Sequence, residues 1–474
     1  MSSILGAILE AKEKRIAEGR LDFPGAGQAP GNGVAFLEAL RRRPRPGDGR
    51  PRPGDGRPAV IAEIKHRSPS AGEILPRASE RIEEVARAYR RGGAAALSVV
   101  IEHDFFGGSP DFLPRAKAVS GLPALMKDFV VSETQLDLAV ALGADAVLLI
   151  VAALDDGTLA RLHRAADARG LAVLVEAHDE EEIGRAAAAG ARIVGINARD
   201  LRTFRVDLER MAALSALLPA NVVKVAESGI RTHADLERLA SFDAFLVGES
   251  LLRDPDPCAG LRRLRGENPV RVKVCGLTRA ADVDACVREG VDELGFNFSP
   301  RSPRRVSLET ARALADRSRG LGVVAVFSGN EKAEIEDVAA ALRPSAVQLT
   351  EEPPEGLELP AGTELWRTVR VGRDDLGAAA SWPCDLLLFD SAPGGTSGGT
   401  GKTFDWNAIS GSVRERRFAV AGGLGPSNVG DAIRAARPFA VDVASGVESA
   451  PGEKDAARIA EFVKAVRLTR VEKE

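Results

Sequence analysis

The sequence predicts an α/β chain of two tandem (βα)8 barrels, the first preceded by an extra helical segment. Three observations carry that expectation. Short β-branched or apolar runs alternate with Ala/Glu/Arg-rich stretches that place apolar residues at helical spacing and glycine at the exit. Such alternation implies parallel strands joined by right-handed crossovers. The runs number eight in each half of the 474-residue chain, and eight βα units in roughly 200–260 residues is the arithmetic of a closed barrel.

Taken in order, residues 1–43 read as one or two helices ahead of the first strand, packing over a barrel end. Residues 44–57 are a perfect tandem repeat, PRPGDGR followed by PRPGDGR, whose prolines and glycines suit a solvated loop expanded by duplication. The first eight runs are 58–64, 95–101, 123–128, 146–151, 171–177, 192–197, 222–228 and 243–250. Segments such as SERIEEVARAYRRGG and DEEEIGRAAAAG supply the amphipathic helices between them. The second eight are 270–276, 293–299, 322–328, 345–350, 364–371, 385–391, 417–423 and 439–445. The polar, Arg-rich stretch RRLRGENP at 262–269 reads as the junction, which sets the domains at 1–265 and 268–474.

Composition narrows the function. Lys plus Arg total 64 against 68 for Asp plus Glu, a net charge of -4, so no global basic field attracts nucleic acid or an anionic membrane. Any bound phosphate must be held locally. Cys258, Cys275, Cys286 and Cys384 form no CxxC pair and no secreted-type spacing, which supports neither a disulfide framework nor structural zinc and points to the reducing cytoplasm. The apolar run AVLLIVAAL at 146–154 is about half a membrane helix, and MSSILGAILEAKEKR continues into charge, so neither a membrane span nor a signal peptide is expected.

Barrel chemistry sits where strands run into loops, and phosphate often binds after strands 7 and 8. Those positions hold Glu227-Ser228-Gly229 and Gly248-Glu249-Ser250 in the first half, and Gly422-Gly423 and Ser445-Gly446 in the second. Glycine lets the backbone approach closely, and exposed amides can cradle a phosphate dianion, although glycines also simply make turns. Strand ends of the first half also carry Glu63, Lys65, Lys127, Glu176, Asn197, Arg199 and Glu227. A lone charge is usually a solvated side chain. Charges inside otherwise apolar strand patterns should point into the barrel mouth, where burial shifts pKa values toward acid/base work, and two lysines there also admit Schiff-base chemistry. The second half has no histidine, so its acid and base must be sought elsewhere: Cys275 ends its first strand and Asp390 its sixth. Cys286 and Cys384 lack such a position and read as structural. GGTSGGTGKTFDW fails the P-loop pattern because Thr396 stands where the first glycine belongs.

Several long motifs now align with known families. AEIKHRSPSAGEI, LMKDFVVSETQLDLAVALGADAVLLIVAAL, VLVEAHDEEEI, GINARDLRTF and VAESGI resemble indole-3-glycerol phosphate synthase across almost all of residues 1–265. KVCGLTRAADVDAC, FSPRSPRRVS, GGTGKTFDW, AGGLGPSNV and VDVASGVESAPGEKD resemble phosphoribosylanthranilate isomerase across about 268–470. The resemblance implies two TIM barrels catalysing consecutive steps of tryptophan biosynthesis. In the second, an Amadori rearrangement of N-(5-phosphoribosyl)anthranilate would use Asp390 as acid and Cys275 as base, with the thiol pKa lowered from about 8.5, and Arg304 would hold the anthranilate carboxylate. In the first, ring closure with loss of carbon dioxide and water would use Lys127 as acid and Glu176 as base. Glu63, Lys65, Asn197, Arg199, Glu227 and Ser228 fall on the family's other active-site positions; Lys65, Ser68 and the amides near Gly229, Gly248 and Glu249 would hold phosphate, and Phe105, Phe106 and Phe129 the aromatic ring. One departure is visible: the isomerase family's QLHG-like ending reads Gln348-Leu349-Thr350-Glu351 here, with Thr350 replacing histidine. The implied chemistry needs no metal and no redox cofactor, only small anthranilate-derived sugar phosphates, and the chain is expected to be a cytoplasmic monomer. The alternatives are a Schiff-base phosphosugar lyase and a synthase whose second barrel is non-catalytic.

Overall fold

The computed structural model describes residues 4–19, 31–41, 58–199, 207–318, 320–391, 403–409, 413 and 415–471. The 44–57 repeat and residues 394–402 of the glycine-rich run lie outside the described residues. The chain divides into two compact units, Met1–Gly266 and Glu267–Glu474. Among the described residues no helix is long and apolar enough to cross a membrane.

Each unit is a closed, eight-stranded parallel barrel. In the first the strands are β1 (Ala59–Ile64), β2 (Ala96–Val100), β3 (Ala124–Lys127), β4 (Ala146–Ile150), β5 (Ala172–Ala177), β6 (Ile193–Asn197), β7 (Val223–Glu227) and β8 (Ala244–Val247). In the second they are β9 (Arg271–Cys275), β10 (Glu293–Asn297), β11 (Gly322–Phe327), β12 (Ala346–Leu349), β13 (Glu364–Val371), β14 (Leu386–Ser391), β15 (Phe418–Val420) and β16 (Ala440–Val443). β1 closes on β8 and β9 on β16. All sixteen fall within the runs read from the sequence.

Side chains alternate across a strand with period two, so each strand sorts its residues between helix layer and lumen. In β1, Val60, Ala62 and Ile64 pack into the outer core, whereas Ala59 and Ile61 join the lumen cluster with Leu125, Leu148, Leu174, Val225 and Leu246. The residue one step further along the inner face is Glu63 in β1, Lys127 in β3, Glu176 in β5 and Glu227 in β7. The same alternation that buries the aliphatic layers therefore lifts the ionisable residues to the mouth.

The N-terminal segment forms two helices, α1 (Ile4–Ala17) and α2 (Gly33–Leu40), which serve opposite ends of the first barrel. Ile4, Leu5 and Ile8 of α1 line the cavity at the mouth, and its buried Lys12 pairs with Asp128 at 2.7 Å. α2 drives Phe36 and Leu40 into the lumen cluster from below. Its entry needs Gly33, since a Cβ there would lie 2.4 Å from the Ala172 nitrogen.

The stretch 262–269, read as a polar junction, is partly helix: Pro257–Leu264 runs through its first residues, and Arg262 is buried with its guanidinium donating to the Arg91 carbonyl. A charged residue can sit in a packed helix when its head finds a backbone acceptor, which composition alone does not reveal. Two short antiparallel ribbons, Arg67–Ser68 with Gly72–Glu73 and Glu448–Ala450 with Glu453–Lys454, were not foreseen, being too short for a periodic signal.

Candidate active sites

The mouth of the first barrel is a ring of opposite charges. Lys127 Nζ lies 2.9 Å from Glu227 Oε2 and 3.5 Å from Glu63 Oε2, and Lys65 Nζ is 2.5 Å from Glu63 Oε1. Asn197 donates to Glu176 Oε1 at 3.2 Å. Neighbouring strands make room by lacking side chains: a Cβ on Gly195 would stand 2.1 Å from Glu227 Oε1, and one on Gly248 2.6 Å from Glu63 Oε1. Burial alone would raise Glu63, but Lys65 and Lys127 outweigh it and bring it down to about 2. Burial pushes Glu227 up, and with Glu176 nearby it reaches about 7 despite Lys127. Burial opposes the charge on Lys127, yet Glu227, Glu63 and Glu176 hold it well above the ordinary lysine value. A Schiff-base nucleophile needs a neutral amine, so this ion pairing works against the lyase alternative at Lys127.

A cavity of about 980 Å³ opens over these groups, lined also by Ser68, Arg199, Ser228, Gly229, Gly248 and Glu249. Ser228 and Gly229 both adopt left-handed backbone, at φ 69° and 78°. For serine that conformation costs roughly 1–2 kcal/mol, and such strain concentrates where a turn must present its groups to a ligand. The opposite wall is apolar. Phe106 and Phe129 face each other at 6.0 Å between ring centroids, and both line the cavity, as Phe105 does not.

In the second mouth Cys275 ends β9 and Asp390 stands near the end of β14, three strands apart around the closed barrel. Both line a cavity of about 1270 Å³ with Arg304, Gly422, Gly423 and Ser445. Burial, with Asp442 adding its charge, pushes Asp390 up to about 6. Burial also pushes the Cys275 thiol up, against the charge of Lys273. The expected lowering of this thiol is therefore not found in the empty barrel: desolvation outweighs its cationic neighbour. Beneath the thiol, Lys273 is fully buried and paired with Asp442 at 2.7 Å, its register partner across the β9–β16 seam.

Arg304 reaches the cavity while its Nε and Nη2 each donate to Glu448 at 2.7 Å, a bidentate clamp that fixes the guanidinium plane. Several buried polar atoms of the lining have no hydrogen-bond partner among the described residues: Ser299 Oγ, Gln348 Oε1, Thr350 Oγ1, Arg367 Nε and Asp442 Oδ1. Gly446 is not part of the lining. It lies against Leu424, whose carbonyl oxygen a Cβ would meet at 1.9 Å, so its missing side chain serves packing between two loops.

Comparison with known proteins matches residues 48–264 to the indole-3-glycerol phosphate synthase family and residues 272–465 to the N-(5'phosphoribosyl)anthranilate (PRA) isomerase family. Over 416 residues the chain is 38% identical to the tryptophan biosynthesis protein TrpCF of Yersinia pestis, covering 86% of this chain and 84% of that protein. The chain belongs to the TrpCF family. The family's protein from Haemophilus influenzae is 37% identical, covering 85% of each chain. The indole-3-glycerol phosphate synthase of Aromatoleum aromaticum is 45% identical over 56% of this chain and all of its own. Among solved structures, phosphoribosyl anthranilate isomerase from Thermotoga maritima is 38% identical, spanning 42% of this chain and 98% of its own at a TM-score of 0.38. As a TrpCF protein the chain is a bifunctional enzyme of tryptophan biosynthesis with synthase and isomerase activities.

In this TrpCF chain the first cavity gathers Glu63, Lys65, Ser68, Lys127, Glu176, Asn197, Arg199, Glu227, Ser228, Gly229, Gly248 and Glu249. The second gathers Cys275, Arg304, Asp390, Gly422, Gly423 and Ser445. Sequence reasoning missed Lys273, Asp442 and His178. The signal for the first two was present in KVC and VDV: period two puts Lys273 on the face of Cys275, and barrel closure sets β16 beside β9.

Proposed function

We propose that residues 1–265 carry the synthase and residues 268–474 the isomerase, with Lys127 and Glu176 as acid and base of the first and Asp390 and Cys275 as acid and base of the second. In the isomerase, Asp390 gives its proton to the ribose ring oxygen of N-(5-phosphoribosyl)anthranilate, opening the ring to a protonated imine. Cys275 as thiolate then takes the C2′ proton, and the resulting enolamine tautomerises to 1-(2-carboxyphenylamino)-1-deoxyribulose 5-phosphate. An acid held near 6 still carries its proton on a useful fraction of molecules at neutrality. Substrate binding must favour the thiolate, and Lys273 supplies the nearest fully buried cation. Arg304, its plane fixed by Glu448, is aimed for the anthranilate carboxylate, and Gly422, Gly423 and Ser445 belong to the phosphate end.

In the synthase, Lys127 protonates the ketose carbonyl oxygen while the aromatic carbon attacks the carbonyl carbon. Carbon dioxide leaves, and Glu176 removes the proton whose loss accompanies departure of water. Lys65, Ser68 and the backbone around Gly229, Gly248 and Glu249 hold the phosphate; Arg199, Glu227 and Ser228 bound the sugar, and Phe106 and Phe129 the ring. The observation that carries this reading is Lys127 itself, an ammonium kept charged by three carboxylates at the top of an apolar lumen. The lack of any paired-cysteine pattern supports a cytoplasmic enzyme. We take the enzyme to be a monomer, for which light scattering should return the mass of one chain.

The test is a paired assay of the whole chain. Cys275→Ala should lower isomerisation by about 10²–10⁴-fold and leave indole formation within twofold; Lys127→Ala should do the converse. A wild-type chain that forms the indole product but cannot isomerise would overturn the assignment of 268–474.

A further inference from the structure

One part-buried titratable side chain in the first barrel has no part in the chemistry assigned above. His178 follows β5 directly, where the chain turns into the helix Glu180–Ala188. Its backbone N–H donates to Glu182 Oε2 at 2.8 Å, and its ring Nδ1 lies 3.0 Å from the same oxygen. On the other side of the ring, Nε2 stands 3.4 Å from Glu176 Oε1, an ion-pair distance without hydrogen-bond alignment. Glu182 is itself fixed, its own N–H bonded to the Asp179 cap at 2.9 Å.

A neutral imidazole has one donor nitrogen and one acceptor, whereas carboxylates only accept. Both ring nitrogens of His178 face carboxylate oxygens. A neutral ring would turn a lone pair toward one of them; an imidazolium keeps an N–H on Glu182 and meets Glu176 with positive charge in place of a lone pair. The charged groups that face the ring are acidic from every side: Glu176 from β5, Glu182 from the helix and Glu227 from β7. The cation Lys127 is engaged with Glu227 and Glu63. Burial would lower His178, but the Glu182 hydrogen bond and the charges of Glu176, Glu182 and Glu227 raise it to about 9.

We propose that His178 is a positioning residue of the synthase: as an imidazolium between Glu182 and Glu176, it ties the catalytic carboxylate to the start of the following helix and fixes its orientation. The inference rests on Glu176 being the base. Its sign with pH is definite. A raised histidine is protonated below its folded pKa, so the bridge is intact at neutrality and is lost as pH rises through about 9. The synthase kcat should fall on that limb.

The experiment is the pH profile of indole formation for the whole chain and for His178→Leu, His178→Lys and Glu176→Gln. His178→Leu should lower kcat about tenfold with KM within twofold and abolish the limb near pH 9. His178→Lys should regain most of kcat and carry the basic limb beyond pH 10. A His178→Leu enzyme whose basic limb stays in place, whether its kcat is unchanged or lowered equally at every pH, overturns the proposal. A Glu176→Gln enzyme that still forms the indole product overturns the assignment of the base itself, whatever the His178 variants do.

Discussion

The two barrels share strand number, parallel order and closure, yet they fill their lumens in opposite ways. In the first, the lumen below the mouth is filled by an aliphatic column that includes Ile61, Leu125, Leu148, Leu174 and Val225, plugged from beneath by Phe36 and Leu40. Charge enters only in the top layer. In the second, charge runs through the lumen: Arg271 pairs with Glu293 at the entrance of the strands, and Lys273 with Asp442 one layer higher. Aromatic and cationic groups do the work of α2 at its base, with the guanidinium carbons of Arg271 and Arg417 lying 5.7 and 4.3 Å from the Phe439 ring centroid. The difference teaches where each site gets its electrostatics. The synthase site is tuned within its own layer, carboxylate against ammonium; the isomerase thiol is tuned from beneath.

The sharpest way to break this comparison is to remove the cation below Cys275. Lys273→Met keeps the length of the side chain and leaves the Asp442 carboxylate without its partner, and losing one member of a buried pair costs about 3–5 kcal/mol. Urea unfolding should show the second unit destabilised by about that amount and the first unchanged. Lys273→Met combined with Asp442→Leu should recover most of the loss, because no charge is then stranded. If the single variant melts like the wild type, the lower-lumen pair is not what holds that barrel together.

Much of this was legible in the sequence. The strands showed because β-branched runs are interrupted by amphipathic segments with glycine exits, and barrel closure followed from their number. The mouth residues showed because Glu63, Lys127 and Glu176 are charges inside otherwise apolar runs. Three things stayed hidden, each for a physical reason. Lys273 and Asp442 lie 169 residues apart, and only closure of β16 on β9 joins them. The direction of the Cys275 shift depends on how dry the lumen is, which spacing does not encode. Arg262 belongs to a packed helix because of a carbonyl 171 residues away.

A second comparison concerns the glycines that clear space for side chains at the two mouths. A Cβ on Gly295 would stand 2.8 Å from the Cys275 Cα and 3.0 Å from its Sγ, whereas one on Gly195 meets chiefly the carboxylate end of Glu227. Backbone cannot step aside, and a side-chain end can. Gly295→Ala should therefore lower isomerisation by about 10²-fold, as a small misplacement of reacting groups does, and also destabilise the second unit. Gly195→Ala should lower indole formation only about tenfold, because Glu227 can swing while Lys127 keeps Glu63. Equal effects in the two barrels would mean that clearance, rather than what is being cleared, sets the penalty.

The smallest expected effect separates stability from binding at one residue. Thr350 occupies the position where the isomerase family usually has histidine, and its hydroxyl is buried in the cavity lining without a partner among the described residues. A buried hydroxyl that makes no hydrogen bond is a cost to the empty protein, whereas one that meets a substrate oxygen is worth about 0.5–1.5 kcal/mol. Thr350→Val keeps the β-branched shape and deletes only the hydroxyl. It should leave the empty second unit as stable as before or slightly more so, and raise the isomerase KM about two- to tenfold with kcat held. Glu63 and Glu227, whose partners are within the first mouth, give no such split: each is already engaged before substrate arrives, so truncating either should lower stability and rate together. A Thr350→Val enzyme with unchanged KM would place the hydroxyl outside the bound substrate's reach and leave Ser299, Gln348, Arg367 and Asp442 as the residues whose polar atoms the substrate satisfies.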